Sequence, residues 1–281
     1  MFKKNKIEEK IKKEKSKLSI IEPGRVTDLV FCVVSFAAVL WYLWQAMQGK
    51  EMRLRPMEQV DAIEDGVDRA VEENRPVYVE PGCLVFLSGT RAPICINGMN
   101  VVRYTARLCV RKGARVILPV PFNPECYPLI DGIFREVCVA EGKPEAYKPE
   151  DVRFYGGTEA SFSVGASTDI QRTSASLVIM VGSTTSSEIY MSGVALSEGA
   201  TVIYGNTLYA LHSAAACMCH YALYADDVFG AGAICSDDNE VRSTMLGGDL
   251  TKLIIVGLIL VCAVLAAAGL PVVSEGGWLF Q

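Results

Sequence analysis

Apolar residues follow two patterns along this chain. Two uncharged apolar runs, residues 29–48 and 253–273, lie near the two ends. Between them, short unbroken runs of apolar and often β-branched residues alternate with longer segments of helical periodicity. Short apolar runs without polar alternation are typical of strands that are covered on both faces, as in parallel sheets. The pattern therefore predicts an α/β domain between two long apolar segments.

The clearest alternation is in residues 176–206, where the pattern predicts a strand (177–181), a polar turn (182–187), a helix (188–198) and a second strand (201–204). Other predicted strands are 77–79 with 84–87, 115–120, 152–155 and 221–224, and other predicted helices are 94–112, 124–141, 161–173, 208–219 and 226–237. Gly113, Gly142 and Gly199 follow predicted helices, as C-terminal caps do. Strands separated by helices of this length imply right-handed crossovers, so we expect a mostly parallel, Rossmann-like sheet with flanking helices.

The segments divide the chain into six parts. We expect a basic N-terminal tail (1–27), a first transmembrane helix (28–48), a linker with an amphipathic helix (49–76), the α/β domain (77–249), a second transmembrane helix (250–273) and a C-terminal tail (274–281). The amphipathic helix, residues 57–73, carries a narrow apolar stripe that is expected to pack on the domain.

The two apolar runs have the length that an α-helix needs to cross a hydrocarbon layer of about 30 Å. A signal peptide is the alternative for the first run. Its Trp41, Tyr42 and Trp44 favour a retained anchor with an interfacial aromatic belt, and no small-residue cleavage site follows. A buried core helix is the alternative for the second run, but that run is apolar on every side. We therefore expect a multi-pass protein with two spans, inserted in the lipid bilayer of the cell membrane.

Charge is distributed unevenly along the chain. The net charge is −5, yet residues 1–18 carry eight Lys against three Glu. This tail either lies on anionic lipid or is solvated and disordered. Binding to nucleic acid is not expected, because the tail lacks interleaved aromatic residues and the main domain is acidic.

Two observations bear on the side of the membrane that the domain faces. The ten Cys are scattered through apolar runs, which is typical of reduced thiols rather than a disulfide framework. The basic tail favours a cytoplasmic N-terminus, whereas Lys50, Arg53, Arg55 and Lys252 flank both spans on the domain side. Cysteine usage and the second span favour a cytoplasmic domain.

Candidate ligand-binding loops follow the carboxyl ends of the predicted strands, where ligands bind in open α/β sheets. These loops are residues 88–90, 121–124, 156–159, 182–187 and 205–207. The fourth is the most suggestive, because a glycine followed by five hydroxyl side chains at a helix N-terminus offers donors to an anion. It lacks a P-loop Lys, and the alternative is that one hydroxyl caps the helix and the others fill a tight turn. The predicted ligand-binding residues are Gly182, Ser183, Thr184, Thr185, Ser186, Ser187, Gly205, Asn206 and Thr207.

Two other side-chain sets have simpler structural explanations. His212, Cys217, Cys219 and His220 lie close in sequence but lack the second ligand pair of a zinc site, so burial is favoured and neither a metal nor a cofactor is predicted. Ser183 or Ser187 combined with His212 and Asp226 or Asp227 would make a hydrolase triad, but no GxSxG elbow is present. Glu188, Glu198, Asp226 and Asp227 form a further candidate polar cluster. No catalytic residue is predicted.

Several longer stretches carry a resemblance to a known family. They are AIEDGVDRAVEENRPVYVEPG (62–82), GKPEAYKPEDVRFYGG (142–157), GVALSEGATVIYGNT (193–207), CHYALYADDVFGAGA (219–233) and GGDLTK (247–252). Their order resembles that of membrane-anchored bacterial and archaeal proteins catalogued as a domain of unknown function. The resemblance implies a two-anchor α/β domain and no activity. The family usually has a Glu in the helix before the turn that resembles Ser-Glu-Gly-Ala, and the resemblance places Glu188 or Glu198 at that position. His220 and Ala225 differ from the residues that the family has at their positions.

These observations support three functional hypotheses. The first is a non-enzymatic scaffold or partner-binding subunit that forms a homo-oligomer, since small residues such as Gly257, Ala263 and Ala266 allow close packing of anchors. The alternative is a membrane-tethered receptor for a nucleotide or another anionic small molecule. The third, least favoured, is a serine hydrolase.

Overall fold

The computed structural model describes residues 26–82, 91–236 and 238–268. The predicted strand at 84–87 and the predicted loop at 88–90 lie outside the described residues. Contacts divide the chain into two compact units, residues 53–242 and the segments on either side of them.

The unit formed by residues 53–242 contains a six-stranded sheet. The strands are β1 (Val77–Glu80), β2 (Val116–Val120), β3 (Val152–Phe154), β4 (Leu177–Val181), β5 (Thr201–Asn206) and β6 (Tyr221–Tyr224). They are arranged in the order β3-β2-β1-β4-β5-β6, and every neighbouring pair is parallel. The predicted α/β fold with a parallel, Rossmann-like sheet is confirmed.

Helices cover both faces of this sheet. Numbered in chain order after the first helix, α1 (Val26–Met47), they are α2 (Glu58–Glu73), α3 (Ala92–Lys112), α4 (Cys126–Ala140), α5 (Glu159–Thr173), α6 (Ser186–Ser197), α7 (Tyr209–Met218) and α8 (Asp226–Cys235). Residues of α2, α3, α4 and α8 share one buried cluster with Val77, Val79 and Ile179 of the sheet. Residues of α5, α6 and α7 share a second cluster with Tyr78, Met180 and Tyr204. Alternate residues of the central strands thus enter opposite cores, which explains why these strands are mostly apolar.

The strand order reverses direction between β1 and β4. The chain leaves β1 through α3 on one face of the sheet, whereas it leaves β4 through α6 on the other face. Connections that diverge in this way open a crevice beyond the carboxyl ends of the two strands, which is the usual ligand position in such sheets. We call the carboxyl ends of β1, β4 and β5, with residues 81–82, 182–188 and 206–207, the carboxyl edge.

The second unit contains two long apolar helices, α1 (Val26–Met47) and α9 (Asn239–Ala267). Both are long and apolar enough to cross a membrane, with mean hydropathies of 1.9 over residues 29–47 and 2.7 over the most apolar 18-residue window of α9. They pack closely, because a Cβ on Gly247 would lie 2.7 Å from the Cα of Val39. A cleaved signal sequence would meet the same criteria as the first helix, whereas the apolar window of α9 is not buried as a core helix would be.

Candidate functional site

Three glycines allow the backbones at the carboxyl edge to approach closely. A Cβ on Gly82 would lie 2.8 Å from both the Cα of Gly182 and the amide nitrogen of Ser183. Gly82 and Gly182 also have φ angles of +59° and +147°, which favour glycine. On α3, a Cβ on Gly98 would lie 2.5 Å from the carbonyl oxygen of Val181. The first turns of α3 therefore lie directly against the ends of β1 and β4.

Two carboxyl groups are buried at this edge. Glu80, the last residue of β1, is 1% exposed, and Glu188, in the first turn of α6, is 2% exposed. Burial and the neighbouring Glu188 raise the pKa of Glu80 well above its usual range. Burial also raises the pKa of Glu188. Two like charges buried close together are costly, so a proton is favoured on one member of the pair at neutral pH.

Hydrogen bonding distinguishes the two carboxyl groups. Oε2 of Glu188 accepts hydrogen bonds from the Thr185 amide (2.6 Å), the Thr185 hydroxyl (2.7 Å) and the Ser187 hydroxyl (2.9 Å). Oε1 of Glu80 accepts one bond from the Gly82 amide at 3.1 Å, and its Oε2 has no partner in the described parts of the chain. Because donors stabilise a carboxylate, Glu188 is the better anion and Glu80 the better proton carrier.

A polar network joins the ends of β4 and β5. The side-chain amide nitrogen of Asn206 lies 3.0 Å from the Thr184 carbonyl oxygen, 2.6 Å from the Thr184 hydroxyl and 3.1 Å from the Tyr204 hydroxyl. The Thr184 hydroxyl also donates to Tyr204 at 2.8 Å. Burial raises the pKa of Tyr204 to about 12, so this phenol stays protonated at neutral pH. The network holds the side chains at the ends of β4 and β5 in place at the carboxyl edge.

The structure places the residues predicted to bind a ligand in one neighbourhood but gives their hydroxyls different partners. The amide of Gly182 donates to the Gly205 carbonyl at 3.2 Å. Thr185 caps the N-terminus of α6, and its partner in the capping box is Glu188. A carboxylate of the chain itself therefore accepts hydrogen bonds in that first turn. Ser186 is exposed and donates to Glu159 at 3.2 Å, and Thr207 is partly exposed. Ser183 is 3% exposed, and its hydroxyl has no hydrogen-bond partner among the residues described.

The side chains considered for a metal site or a hydrolase triad have other partners. His220 accepts a hydrogen bond from the Val202 amide at 3.1 Å, and Cys219 donates to the Ala215 carbonyl at 2.7 Å. No group of three or more His, Cys, Asp or Glu in the described ranges is arranged to hold a metal ion. The His212 ring lies 3.1 Å from the Asn206 carbonyl oxygen, while Asp227 pairs with Arg55 at 2.9 Å.

Sequence reasoning missed Glu80 of the carboxyl edge and Gly98, which packs against it. Glu80 was not considered, because one acidic residue at the end of a short strand looks like the start of a solvated loop. Gly98 looks like an ordinary residue of a predicted helix. The only available signal was the Glu-Pro-Gly triplet at residues 80–82, which marks a sharp turn directly after a buried strand.

Comparison with known proteins gives one match. A protein-family model described as a domain of unknown function (DUF6754) matches residues 16–275. This match confirms the resemblance to a family catalogued in that way. The searches of curated proteins and of solved structures found no match.

Proposed function

The chain belongs to the family described as a domain of unknown function (DUF6754), and on that premise we propose that its α/β domain is a membrane-tethered receptor for a small polar molecule. The ligand binds at the carboxyl edge, between the ends of β1 and β4. Nucleotides and related phosphorylated compounds are the first class to test. Fold alone does not determine function, so the proposal depends on the chemistry of this edge.

The observation that carries the proposal is the concentration of buried polar groups at the point where the strand order reverses. Ser183, Thr184, Glu188 and Asn206 are each 3% exposed or less, and Glu80 is 1% exposed. Buried polar groups destabilise a fold unless they are paired. Here one carboxyl oxygen of Glu80 lacks a hydrogen-bond partner among the described residues. Unsatisfied groups of this kind, at the usual ligand position of the fold, support a binding site.

The membrane part of the proposal is supported by α1 and α9. We propose that both helices are retained spans and that the domain faces the cytoplasm, where its thiols stay reduced. The nine Cys of the described ranges are all free. Retention of the full chain in the membrane pellet after alkaline carbonate extraction is the expected result, and release into the supernatant would contradict the proposal.

Thermal unfolding of the full chain in mild detergent tests the receptor function. A ligand at 100 times its dissociation constant stabilises a protein by about 2.7 kcal/mol, which raises the melting temperature by several degrees. We expect at least one compound of a nucleotide panel to do so, and Ser183→Ala to reduce that shift. Thr168→Ala removes an exposed hydroxyl on α5 and serves as the matched control. A flat panel, or equal shifts in both variants, would contradict the proposal.

A scaffold is the second candidate function. Large apolar side chains are exposed on successive helices of one face: Val164 of α5 is 63% exposed, Tyr190 of α6 is 59% and Tyr209 of α7 is 83%. Exposed aromatic side chains of this kind favour self-association or a protein partner. Light scattering of the detergent-solubilised chain is expected to show an oligomer, and a strict monomer without a co-purifying protein would contradict this role.

A further inference from the structure

The buried pair Glu80 and Glu188 indicates which part of a ligand meets the carboxyl edge. Among the described residues neither carboxyl group forms an ion pair, although charged residues are almost never buried without one. The three donors to Glu188 come from Thr185 and Ser187. Glu80 receives only the Gly82 amide. The pair can therefore accept more hydrogen bonds than the described residues donate to it.

The unused acceptor is Oε2 of Glu80. It is buried and has no hydrogen-bond partner in the part of the chain that the structure describes. Glu80, at the end of β1, pairs in register with Met180 of β4, and Met180 pairs with Tyr204 of β5. Glu80 therefore lies in the same row across the sheet as Tyr204, which belongs to the network built on Asn206. The donors of that network are already directed to Thr184 and Tyr204. None of these donors is directed at Oε2, which keeps an open acceptor position among the described residues.

We propose that Oε2 of Glu80 accepts a hydrogen bond from a hydroxyl or protonated amine of the bound molecule. This inference rests on the receptor function proposed above and deepens it. A ribose hydroxyl or an exocyclic amino group of a nucleotide would supply such a donor, whereas a phosphate at this position would be repelled by Glu188. Phosphate groups are expected near Ser183 instead.

Binding of such a ligand donor is coupled to release of the proton that the Glu80–Glu188 pair holds in the empty site. Among the described residues, the titratable groups whose charges act on Glu80, or on which Glu80 acts, are Glu188 on α6, Cys95 on α3, Cys126 on α4, and Tyr78 and Tyr204 on the sheet. None of them is basic, so in the empty site a proton is the available counter-charge. A ligand donor bonds the ionised form of Glu80, and the proton is released to solvent, so the affinity of the ligand is expected to increase from pH 6 to pH 8.

The test compares donor probes with anion probes on the full chain in mild detergent. Adenosine and ribose supply hydroxyl and amino donors without a phosphate, and inorganic phosphate and pyrophosphate supply the anion alone. We expect the donor probes to bind the native chain, and Glu80→Gln to reduce their affinity by at least about ten-fold, the loss typical of one charge-assisted hydrogen bond. Glu198→Gln, a similar change at the far end of α6, is the matched control and is expected to bind like the native chain.

The outcomes separate this inference from the receptor function. If only phosphate and pyrophosphate bind, and Ser183→Ala weakens them, the receptor function holds and the role of Glu80 is wrong. If neither set of probes binds, both are wrong. Donor probes that bind Glu80→Gln as tightly as the native chain, or that bind more weakly at pH 8 than at pH 6, also overturn the inference. A melting curve of Glu80→Gln without ligand confirms that the variant is folded.

Discussion

Gly98 of α3 lies against the carbonyl oxygen of Val181 at the end of β4, so closely that a Cβ on Gly98 would be 2.5 Å from that oxygen. The carbonyl oxygen of Pro81 is closer still to the same position. Both neighbours are backbone atoms of the sheet, so neither is able to move aside as a side chain would. This contact holds α3 against the two strands that flank the proposed site.

Gly98→Ala is therefore expected to destabilise the domain strongly. The added methyl group requires α3 to shift away from the sheet, and overpacking of this kind costs about 1–3 kcal/mol or more. Gly132→Ala in α4 is the matched control, because no atom lies within 4 Å of its added Cβ. That control is expected to gain about 0.5–1 kcal/mol from the helix preference of Ala over Gly. Thermal or urea unfolding measures both, and equal stabilities of the two variants would contradict the described packing.

Asn206→Ala is expected to lower the free energy of unfolding by about 1–3 kcal/mol, since it leaves buried groups of Thr184 and Tyr204 without their donor. Asn97→Ala, which removes one exposed bond to the Pro93 carbonyl, is the control and is expected to change stability by about 0.5 kcal/mol or less. The difference between the two variants is measured by urea unfolding. An equally small effect at Asn206 would mean that its network is solvated.

The protonation of Glu80 predicts a specific pH dependence of stability. Burial and Glu188 raise the pKa of Glu80 in the folded state above the value of about 4.3 expected in the unfolded chain. The folded chain then holds the proton more tightly, so its stability is greatest below that unfolded value and falls as the pH rises toward the folded pKa. Glu80→Gln removes this loss.

Glu80→Gln is consequently expected to be more stable than the native chain at pH 8, with the difference vanishing near pH 4. Melting temperatures across this range measure it in the absence of any ligand. Glu198→Gln controls for the loss of one carboxylate. A native chain that gains stability relative to Glu80→Gln as the pH rises would show that Glu80 is ionised and paired in the folded state.

The exposed thiol of Cys217 reports which side of the membrane the domain faces. Cys217 is exposed on α7, whereas Cys235 is buried and burial raises its pKa to about 12. A thiolate is the reactive form, so Cys235 is expected to resist alkylation. With a cytoplasmic domain, a membrane-impermeant maleimide should label Cys217 only after the cells are permeabilised. Labelling of Cys217 in intact cells, absent in Cys217→Ser, would place the domain outside.

The sequence contained enough information for the fold but not for the site. Unbroken apolar runs such as residues 177–181 identify strands that are covered on both faces of the sheet, because no residue of such a strand faces water. The position of β1 at the point of reversal depends on pairing between strands that are about a hundred residues apart, for which a local pattern carries no signal. Glu80 was missed for the same reason, since its neighbour Glu188 lies on α6, a helix distant in the sequence.

The predicted hydroxyl turn shows the limit of motif reasoning in more detail. Thr184 and Asn206 were both predicted, and the structure brings them together. The sequence did not reveal that Glu188 would take the donors of the helix N-terminus, although the Thr185–Glu188 spacing is that of a capping box. The N-terminus of α6, which appears free in the sequence, is thus partly occupied by the side chain of Glu188 from the same helix.

Hydrogen–deuterium exchange of the full chain, with and without the strongest-binding compound of the nucleotide panel, tests the central claim most directly. A ligand at the carboxyl edge is expected to slow exchange in peptides that cover residues 80–82, 182–188 and 205–207. The opposite edge of the sheet has a cavity of about 460 Å³ lined by Arg75, Arg115 and Arg172, and its peptides serve as the internal comparison. Protection at the carboxyl edge alone is the predicted result, and protection confined to the arginine-lined cavity would contradict the account.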